Sequence, residues 1–328
     1  MKRLLALLLV TASTLVHAQW QPTKPVTVIV GNTPGAGNEI AFRKLAEIVQ
    51  KTSHPKFVYV VENRPGVDSV IAQNHFKTEA PDGYTINLPS HMSTYVTNDI
   101  WEKNVKKFRY DDFIDVLTMG KSPLVLVAHP SSAVNTPQDF VRLISTTTKP
   151  INVGVGGGAH RTAFEYLMER GRGDRDQVKP IKFNGPQPTV MSVASFDPKL
   201  GGTEFGIMPI AVARPLVEAG KVKAIGFTGT QRMPQFPSVP LLRDVAPGIN
   251  VYAAWSIQLP KGTSPEIVDW YQKTFSTAIK SKEYAEWRDL NVVFYVEDEL
   301  TPAGLRKQMD SLRTTFLPVL EKIDLSKE

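Results

Sequence analysis

Short runs of β-branched and aliphatic residues alternate along the chain with longer stretches in which apolar residues recur at helical spacing. The short runs predict strands and the longer stretches predict helices. We predict strands at residues 26–30, 57–61, 84–88, 124–128, 151–155, 179–183, 205–208 and 222–228, and helices at residues 39–51, 69–78, 137–145, 162–170, 265–281 and 302–322. This alternation is typical of an α/β protein with a parallel or mixed sheet.

A strand, a glycine-rich loop and a helix follow one another twice, after residue 30 and again after residue 155. The second occurrence indicates a second unit, and a length of 328 residues suits two domains. The proline-rich segment 231–248 predicts a loop that returns the chain between the units. We therefore predict one lobe from residues 19–122 and 249–328, and a second lobe from residues 123–248.

The N-terminus has the pattern of a secretory leader. Lys2 and Arg3 precede an apolar run at residues 4–10, and the small residue Ala18 ends the segment. The apolar run is too short to cross a bilayer, which needs about 20 residues. We therefore predict a signal peptide at residues 1–18, cleavage near Ala18, and a periplasmic mature protein.

Composition excludes several kinds of chemistry. The chain has no Cys, so disulfides, thiolate metal sites and thiol nucleophiles are absent. The net charge of +6 is not concentrated in a basic run, which argues against a nucleic-acid partner. Neither a nucleophile elbow nor a His pair at metal-binding spacing occurs, so we expect neither a hydrolase site nor a metal site.

The two glycine loops are candidate anion sites. A loop between a strand and a helix directs backbone N–H groups at an anion, and the helix N-terminus adds partial positive charge. Each loop could equally do no more than turn a strand into a helix, and Asn38 could serve as an N-cap without any ligand. His91 and His160 border such loops, and Arg161 could bind a carboxylate.

A dinucleotide site is a second interpretation of the second loop. Gly154, Gly156 and Ala159 fit the G-x-G-x-x-A pattern, and Asp174 follows Gly154 by 20 residues, where a ribose-binding acid is expected. An exported nucleotide-dependent oxidoreductase is therefore the alternative to a carboxylate-binding protein.

The order of the motifs resembles the periplasmic solute-binding receptors of tripartite tricarboxylate transporters, the Bug-type receptors. The resemblance runs from about residue 20 to the C-terminus. It is carried by KPV at 24–26, PGAGNEIA at 34–41, VENRPG at 61–66, APDGYT at 80–85, EAGKVKA at 218–224 and PKGT at 260–263.

The resemblance implies a two-lobed, flytrap-type receptor without enzymatic activity or cofactor, expected as a monomer that serves membrane transporter subunits. It implies that the two lobes close on a small carboxylate. Because ligands of open α/β sheets collect at the carboxyl ends of strands, we predict a site at the loops that follow them. The predicted ligand-binding residues are Pro34, Gly35, Ala36, Gly37, Asn38, Ser90, His91, Ser93, Gly157, Gly158, Ala159, His160, Arg161, Asn184 and Met208.

Two segments depart from the pattern of the family. His160 and Arg161 stand where many members have a Ser-His pair, and Met208 stands in a run where members commonly have an acid. Arg161 would add a cation to the site, and Met208 would remove a partner for a ligand ammonium, which disfavours amino acids. A receptor scaffold with a changed or lost ligand is therefore a further alternative.

Overall fold

A computed structural model of the chain describes residues 20–200, 202–321 and 323. The described residues form a mixed α/β fold. Its strands are β1 (Val26–Val30), β2 (Tyr59–Asn63), β3 (Thr85–Asn87), β4 (Phe113–Ala128), β5 (Ile151–Val155), β6 (Val178–Lys182), β7 (Phe205–Pro209), β8 (Lys223–Phe227) and β9 (Tyr252–Pro260). The predicted signal peptide lies outside the described residues.

Ten α-helical segments lie among the described residues. They are α1 (Gly37–Thr52), α2 (Val70–Phe76), α3 (Asn98–Ile100), α4 (Pro137–Thr146), α5 (Gly158–Arg170), α6 (Pro186–Ala194), α7 (Ile210–Glu218), α8 (Pro265–Ile279), α9 (Lys282–Asn291) and α10 (Pro302–Leu320). A π-helical turn, Ser93–Thr97, leads into α3. None of the helices in this part of the chain is long and apolar enough to span a membrane.

The strands form one sheet path in the order β2-β1-β3-β9-β4-β7-β5-β6, with β8 paired to β4 off that path. Strand β1 is parallel to β2 and β3, and β5 is parallel to β6 and β7. The antiparallel strands β4 and β9 join these two parallel groups. Each parallel group, with the helices on it, forms one lobe of a two-lobed α/β fold, as the sequence predicts.

Strand β4 runs through both lobes. Its residues 113–123 pair with β9, and its residues 124–128 pair with β7 on one side and β8 on the other. The exchange of partners occurs between Pro123 and Leu124. The division of the chain into lobes at residues 123 and 248 stays a prediction.

The sequence-predicted elements are found, with shifted ends. Strands β1 and β5 have the predicted bounds, α1 and α5 begin earlier than predicted, and the loop that ends α7 contains Gly220 with a φ of +66°. The structure adds β9, the first two-thirds of β4, α3, α6, α7 and α9. These elements contain buried polar residues or lack a simple apolar period, so the sequence pattern does not predict them.

A single large apolar core connects the lobes. Its cluster of buried residues includes Val28 and Phe42 of the first lobe together with Val153 and Phe205 of the second. Residues of β4 and β9, such as Leu126 and Ile257, belong to the same cluster. The carboxyl ends of the parallel strands of both lobes therefore face one another over a shared base.

Candidate functional site

Two adjoining cavities lie where the carboxyl ends of the parallel strands meet. The smaller cavity, here called the inner cavity, has a volume of about 30 Å³ and is lined from loops after β1, β3 and β5 and by Trp255 of β9. The larger one, the outer cavity, has a volume of about 270 Å³ and is lined from loops after β1, β2, β5 and β6. Asn32 and residues 156–158 line both, so the cavities are continuous.

Most of the predicted site residues meet at these cavities. The inner cavity is lined by Ala36, Gly37, Asn38, Ser90, His91, Ser93, Gly157, Gly158, Ala159 and His160. Arg161 and Asn184 line the outer cavity, together with Gly157 and Gly158. Pro34, Gly35 and Met208 line neither. Met208 is fully buried in β7, beside Val125 of β4, and packs in a separate apolar cluster of the second lobe.

The helices α1 and α5 present their N-termini to the inner cavity. Gly37 and Asn38 begin α1, and Ala159 and His160 lie in the first turn of α5, so their N–H groups have no acceptor within the helix. In the described part of the chain no other protein group accepts a hydrogen bond from these four N–H groups. They are therefore available to an anion, and the helix dipoles favour negative charge there.

Asn38 is not the N-cap that the sequence suggests. The N-cap of α1 is Ala36, and Asn38 lies inside the first turn. Its buried amide donates to Leu88 O at 2.7 Å and to Asn32 Oδ1 at 3.3 Å. Asn38 therefore ties α1 to the loops after β1 and β3 and fixes the position of the helix N-terminus.

Glycines allow close packing at the N-termini of α1 and α5. A Cβ at Gly37 would overlap the indole of Trp255. A Cβ at Gly158 would overlap Thr97 Oγ1 and would come within 3.0 Å of Ser93 Cα. The N-terminus of α5 therefore packs directly against the π-helical turn of the first lobe.

His160 is a neutral hydrogen-bond donor to the inner cavity. Burial lowers the pKa of its ring to about 3, so the ring is uncharged near neutral pH. Its Nδ1 accepts from the N–H of Gly156 at 3.2 Å, which places the ring proton on Nε2. This contact also holds the loop after β5 in place.

His91 is uncharged as well. It is 1% exposed, and burial together with the charge of Lys121 lowers its pKa well below the ordinary value. Neither ring nitrogen has a hydrogen-bond partner among the described residues. His91 can therefore donate one hydrogen bond and accept another at the wall of the inner cavity.

Arg161 is placed differently from the cationic grip that the sequence suggests. Its Nε donates to Glu165 Oε1 at 2.5 Å, one turn along α5, and Arg175 pairs with the other oxygen of Glu165 at 2.7 Å. Its guanidinium also lies 5.3 Å from the ring centre of Trp101. The charge of Arg161 is thus largely neutralised by a carboxylate of its own helix.

Asp68, in the loop after β2, is a site residue that sequence reasoning missed. Its Oδ1 accepts from Ser93 Oγ at 2.9 Å and from the N–H of Gly158 at 3.2 Å, and its Oδ2 accepts from Thr97 Oγ1 at 3.2 Å. Burial raises the pKa of this carboxyl, and the bond from Ser93 and the charge of Lys182 act in the opposite direction. Asp68 thus links the first lobe to the N-terminus of α5.

Further contacts cross between the lobes at the outer cavity. Lys182, at the end of β6, forms an ion pair with Glu102, and the N–H of Thr33 donates to the carbonyl oxygen of Asn184 at 3.3 Å. The rule that ligands collect at the carboxyl ends of strands points to Asp68 and Lys182, because Asp68 lies after the predicted strand 57–61 and Lys182 lies near the end of the predicted strand 179–183. Nothing in the sequence indicates Trp101, Glu102 or Trp255.

The dinucleotide interpretation does not fit the placement of Asp174. This residue follows the C-terminus of α5 and its N–H bonds to Ile144 O, next to the start of β6. The glycine loop lies at the other end of α5, and a helix of 13 residues is about 20 Å long. The residue at the carboxyl end of β6 is Lys182, so no acid lies where a ribose-binding carboxylate is needed.

Metal ligands are not assembled at the site. Within residues 20–200, 202–321 and 323, no group of three or more His, Asp or Glu side chains is arranged to hold a metal ion. The groups that converge are backbone N–H groups, hydroxyls, uncharged imidazoles and an internal carboxylate, an arrangement suited to binding a small anion.

Comparison with protein families decides the classification. The family profile TctC, described as "Tripartite tricarboxylate transporter family receptor", matches residues 41–298. The chain belongs to this family. Among relatives of this TctC receptor, protein BugT of Bordetella pertussis is 24% identical over 298 residues, which is 87% of this chain and 87% of BugT.

Solved structures show the same fold. The periplasmic binding protein BugD is 20% identical and has a TM-score of 0.82, with 92% of this chain and 98% of BugD covered. MatC from Rhodopseudomonas palustris, with bound malate, is 21% identical and also has a TM-score of 0.82, with 92% of this chain and 100% of MatC covered. The predicted resemblance and the two-lobed periplasmic-binding-protein fold of this TctC receptor are thereby confirmed.

Proposed function

We propose that this TctC receptor captures a small carboxylate between its two lobes in the periplasm, without chemical conversion, and delivers it as a monomer to membrane transporter subunits. The observation that carries the proposal is the convergence of the N-termini of α1 and α5 on the inner cavity, where four backbone N–H groups lack an acceptor among the residues that the structure describes. A cavity of about 30 Å³ accepts about two water-sized groups, which matches the two oxygens of a carboxylate.

Family membership and the malate bound to MatC support an organic acid as the ligand. The inner cavity supplies uncharged donors, so the carboxylate is held by backbone groups, helix dipoles and imidazoles. The expected export of the protein places it where such a receptor works, and N-terminal sequencing of the mature protein tests cleavage near Ala18.

Thermal shifts and calorimetry with matched acids and amides test the proposed function. Malate, adipate, hexanoate and benzoate should be compared with the corresponding amides. We expect at least one acid to raise the melting temperature and its amide to leave it unchanged. Ligand at 100 times Kd stabilises the folded state by about 2.7 kcal/mol, which is readily measured.

Two results would contradict the proposal. Equal responses to acids and amides would remove the carboxylate from the recognition. Purified protein that retains a nicotinamide or flavin nucleotide, or that converts an acid to a product, would instead favour the oxidoreductase alternative.

A further inference from the structure

A carboxylate of the protein already occupies the junction of the two cavities. Asp68 accepts from the first N–H of α5, at Gly158, and from the hydroxyls of Ser93 and Thr97. A backbone N–H at a helix N-terminus and two hydroxyls are the groups that bind an anionic ligand. In this chain they bind an internal anion.

The loop that carries Asp68 holds an unfavourable backbone conformation. Val67, Asp68 and Ser69 have φ angles of 47°, 47° and 70°, although none of them is glycine. Each such residue costs about 1–3 kcal/mol and persists only where its surroundings enforce it. Ser69 packs against Gly31, where a Cβ would overlap it, and Asn98 Nδ2 donates to Asp68 O at 3.2 Å. The position of Asp68 is therefore enforced by the loops of the first lobe.

Asp68 leaves four backbone donors of the inner cavity untouched. The N–H groups of Gly37, Asn38, Ala159 and His160 make no hydrogen bond to it, and they suffice for one carboxylate. Of the groups that donate to Asp68, Ser93 lines the inner cavity and Gly158 lines both cavities. Asp68 itself lines the outer cavity, into which the remainder of a ligand would extend. A second carboxylate there would meet Asp68 in place of free donors.

The charges around the outer cavity are balanced. Asp68 and Glu102 are opposed by Arg161 and Lys182, and all four line the cavity. Glu102 is paired with Lys182. Arg161 is paired with Glu165, outside the cavity. The charges of the four lining residues therefore sum to zero, and each of the two cations is paired with a carboxylate of the protein, which Arg161 shares with Arg175.

The rest of the wall consists of four apolar side chains, five glycines and the polar residues Asn32, Ser69 and Asn184. Trp101, Val155, Pro180 and Phe183 line the outer cavity. Apolar walls gain free energy by covering an uncharged ligand surface, whereas a charged group placed there loses its hydration without finding a partner.

We infer that Asp68 takes the place of a ligand's second carboxylate, so that this receptor selects a small acid with one carboxylate and an uncharged, apolar remainder. The inference rests on the proposed function, because it assigns the second half of the same site. Asp68 determines specificity in two ways. It accepts the hydrogen bonds that a second carboxylate of the ligand would need, and its negative charge repels that carboxylate.

Six-carbon acids that differ only at the far end provide the test. Hexanoate, adipate and 6-aminohexanoate end in an uncharged, an anionic and a cationic group, and benzoate and terephthalate form an aromatic pair. Their Kd values are measured by calorimetry on the mature protein. Like charges across an interface are strongly disfavoured, so we expect hexanoate or benzoate to bind at least about tenfold more tightly than the matched dicarboxylate. We also expect hexanoate to bind more tightly than 6-aminohexanoate.

The variant Asp68→Asn separates charge from shape. Asn is isosteric, tolerates a positive φ and can still accept from Gly158 and Ser93. The ratio of the dicarboxylate Kd to the monocarboxylate Kd should fall by at least about tenfold in this variant. Asp176→Asn removes the same charge from an exposed turn before β6, at the other end of the sheet, and should keep the ratio of the unaltered protein.

Distinct outcomes would overturn the inference and the proposed function. Tightest binding of adipate, terephthalate or malate by the unaltered protein would contradict the selection of monocarboxylates and leave the receptor function intact. Tightest binding of 6-aminohexanoate would also contradict this selection without affecting the receptor function. So would failure of both monocarboxylates to bind at millimolar concentration while another acid binds. An unchanged ratio in Asp68→Asn would show that Asp68 does not select. Absence of binding by every carboxylate would instead contradict the proposed function.

Discussion

Asp115 is a buried carboxyl at the base of the first lobe. It accepts hydrogen bonds from the hydroxyl of Tyr95 and, at 3.0 Å, from the amide of Gln258, whose oxygen accepts from Asn87 at 3.0 Å. Burial raises the pKa of Asp115 to about 6, and these hydrogen bonds act in the opposite direction. The four side chains join β3, β4, β9 and the π-helical turn below the inner cavity.

The raised pKa of Asp115 makes folding stability depend on pH. Between the unfolded pKa near 4 and the folded pKa near 6 the folded state binds more protons than the unfolded state, so this group's contribution to stability falls as pH rises. A shift of about two units corresponds to about 3 kcal/mol. We expect Asp115→Asn to gain about that much stability relative to the unaltered protein between pH 4 and pH 7.

Urea unfolding of both proteins across that pH range measures the difference. The buried His91 and His160, whose pKa values are lowered, titrate in both proteins, so their effect cancels in the comparison. A difference between the two proteins that does not change with pH would show that Asp115 has an ordinary pKa.

Arg161 illustrates how a cation can stand at a helix N-terminus, where the helix dipole disfavours it. The compensation comes from Glu165, a side chain that is 2% exposed and receives Arg161 and Arg175. Removing one partner of a buried pair typically costs about 3–5 kcal/mol. Because Arg175 remains, we expect Arg161→Ala to lower the free energy of unfolding by about 2 kcal/mol.

Denaturant unfolding measures this cost, and Arg170→Ala serves as the control because Arg170 is an exposed residue of the same helix. The control should leave the free energy of unfolding almost unchanged. If Arg161→Ala kept full stability and instead weakened hexanoate binding by tenfold or more, Arg161 would contact the ligand directly.

The first turn of α5 is the element on which closure depends. Gly158 lies against Thr97 and Ser93, where a methyl group has no room. The added methyl group would also lie close to Ser93 Cα, a backbone atom, so a rotamer change in Thr97 cannot fully relieve the overlap. We expect Gly158→Ala to hold the lobes apart and to raise the Kd of the bound acid by tenfold or more, because closed-state contacts are lost.

Small-angle scattering with and without ligand, combined with calorimetry, tests this effect. Gly220→Ala is the control, since Gly220 has a positive φ but no atom within 4 Å of the added Cβ. It should reduce stability and keep the affinity. Unaltered affinity and compaction in Gly158→Ala would mean that the lobes do not need to meet at this point.

At the scale of the whole molecule, the two lobes share β4 and the largest apolar cluster. Strand β4 pairs with β9 in one half and with β7 and β8 in the other, and the largest buried cluster includes residues of both lobes. Neither lobe therefore has a complete core of its own.

We expect the chain to unfold in one cooperative transition. Scanning calorimetry should give a calorimetric enthalpy equal to the van't Hoff enthalpy. Two resolved transitions, with ligand shifting only one of them, would show that the lobes fold independently despite the shared strand.

The sequence by itself determined the elements whose signals are local. Strands β1 and β5 are uninterrupted apolar runs followed by glycine loops, and α8 and α10 begin with a proline at the first helical position. The family motif at 34–41 and the repeated order of strand, glycine loop and helix led to the prediction that both glycine loops form the site. Each of these signals depends on neighbours in the chain.

Only the tertiary structure decided the features that depend on distant partners. The first part of β4 contains Gly120, Lys121 and Pro123, which argue against a strand, yet Lys121 is buried against Glu299 at 2.5 Å. Strand β9 contains the buried Gln258, whose partners lie in three other segments.

Asp68 depends on the same kind of distant contact. In the sequence it is one polar residue after a turn, and its role appears only where α5 of the other lobe brings Gly158 to it. Arg161 shows the opposite relation between sequence and structure. Its position in the sequence predicted a contact with the ligand, whereas in the structure its Nε donates to Glu165. Local propensity determines where a strand or helix begins, because it depends on residues that are close in the chain. The partner of a charged side chain in the cleft depends on which elements the fold brings together there.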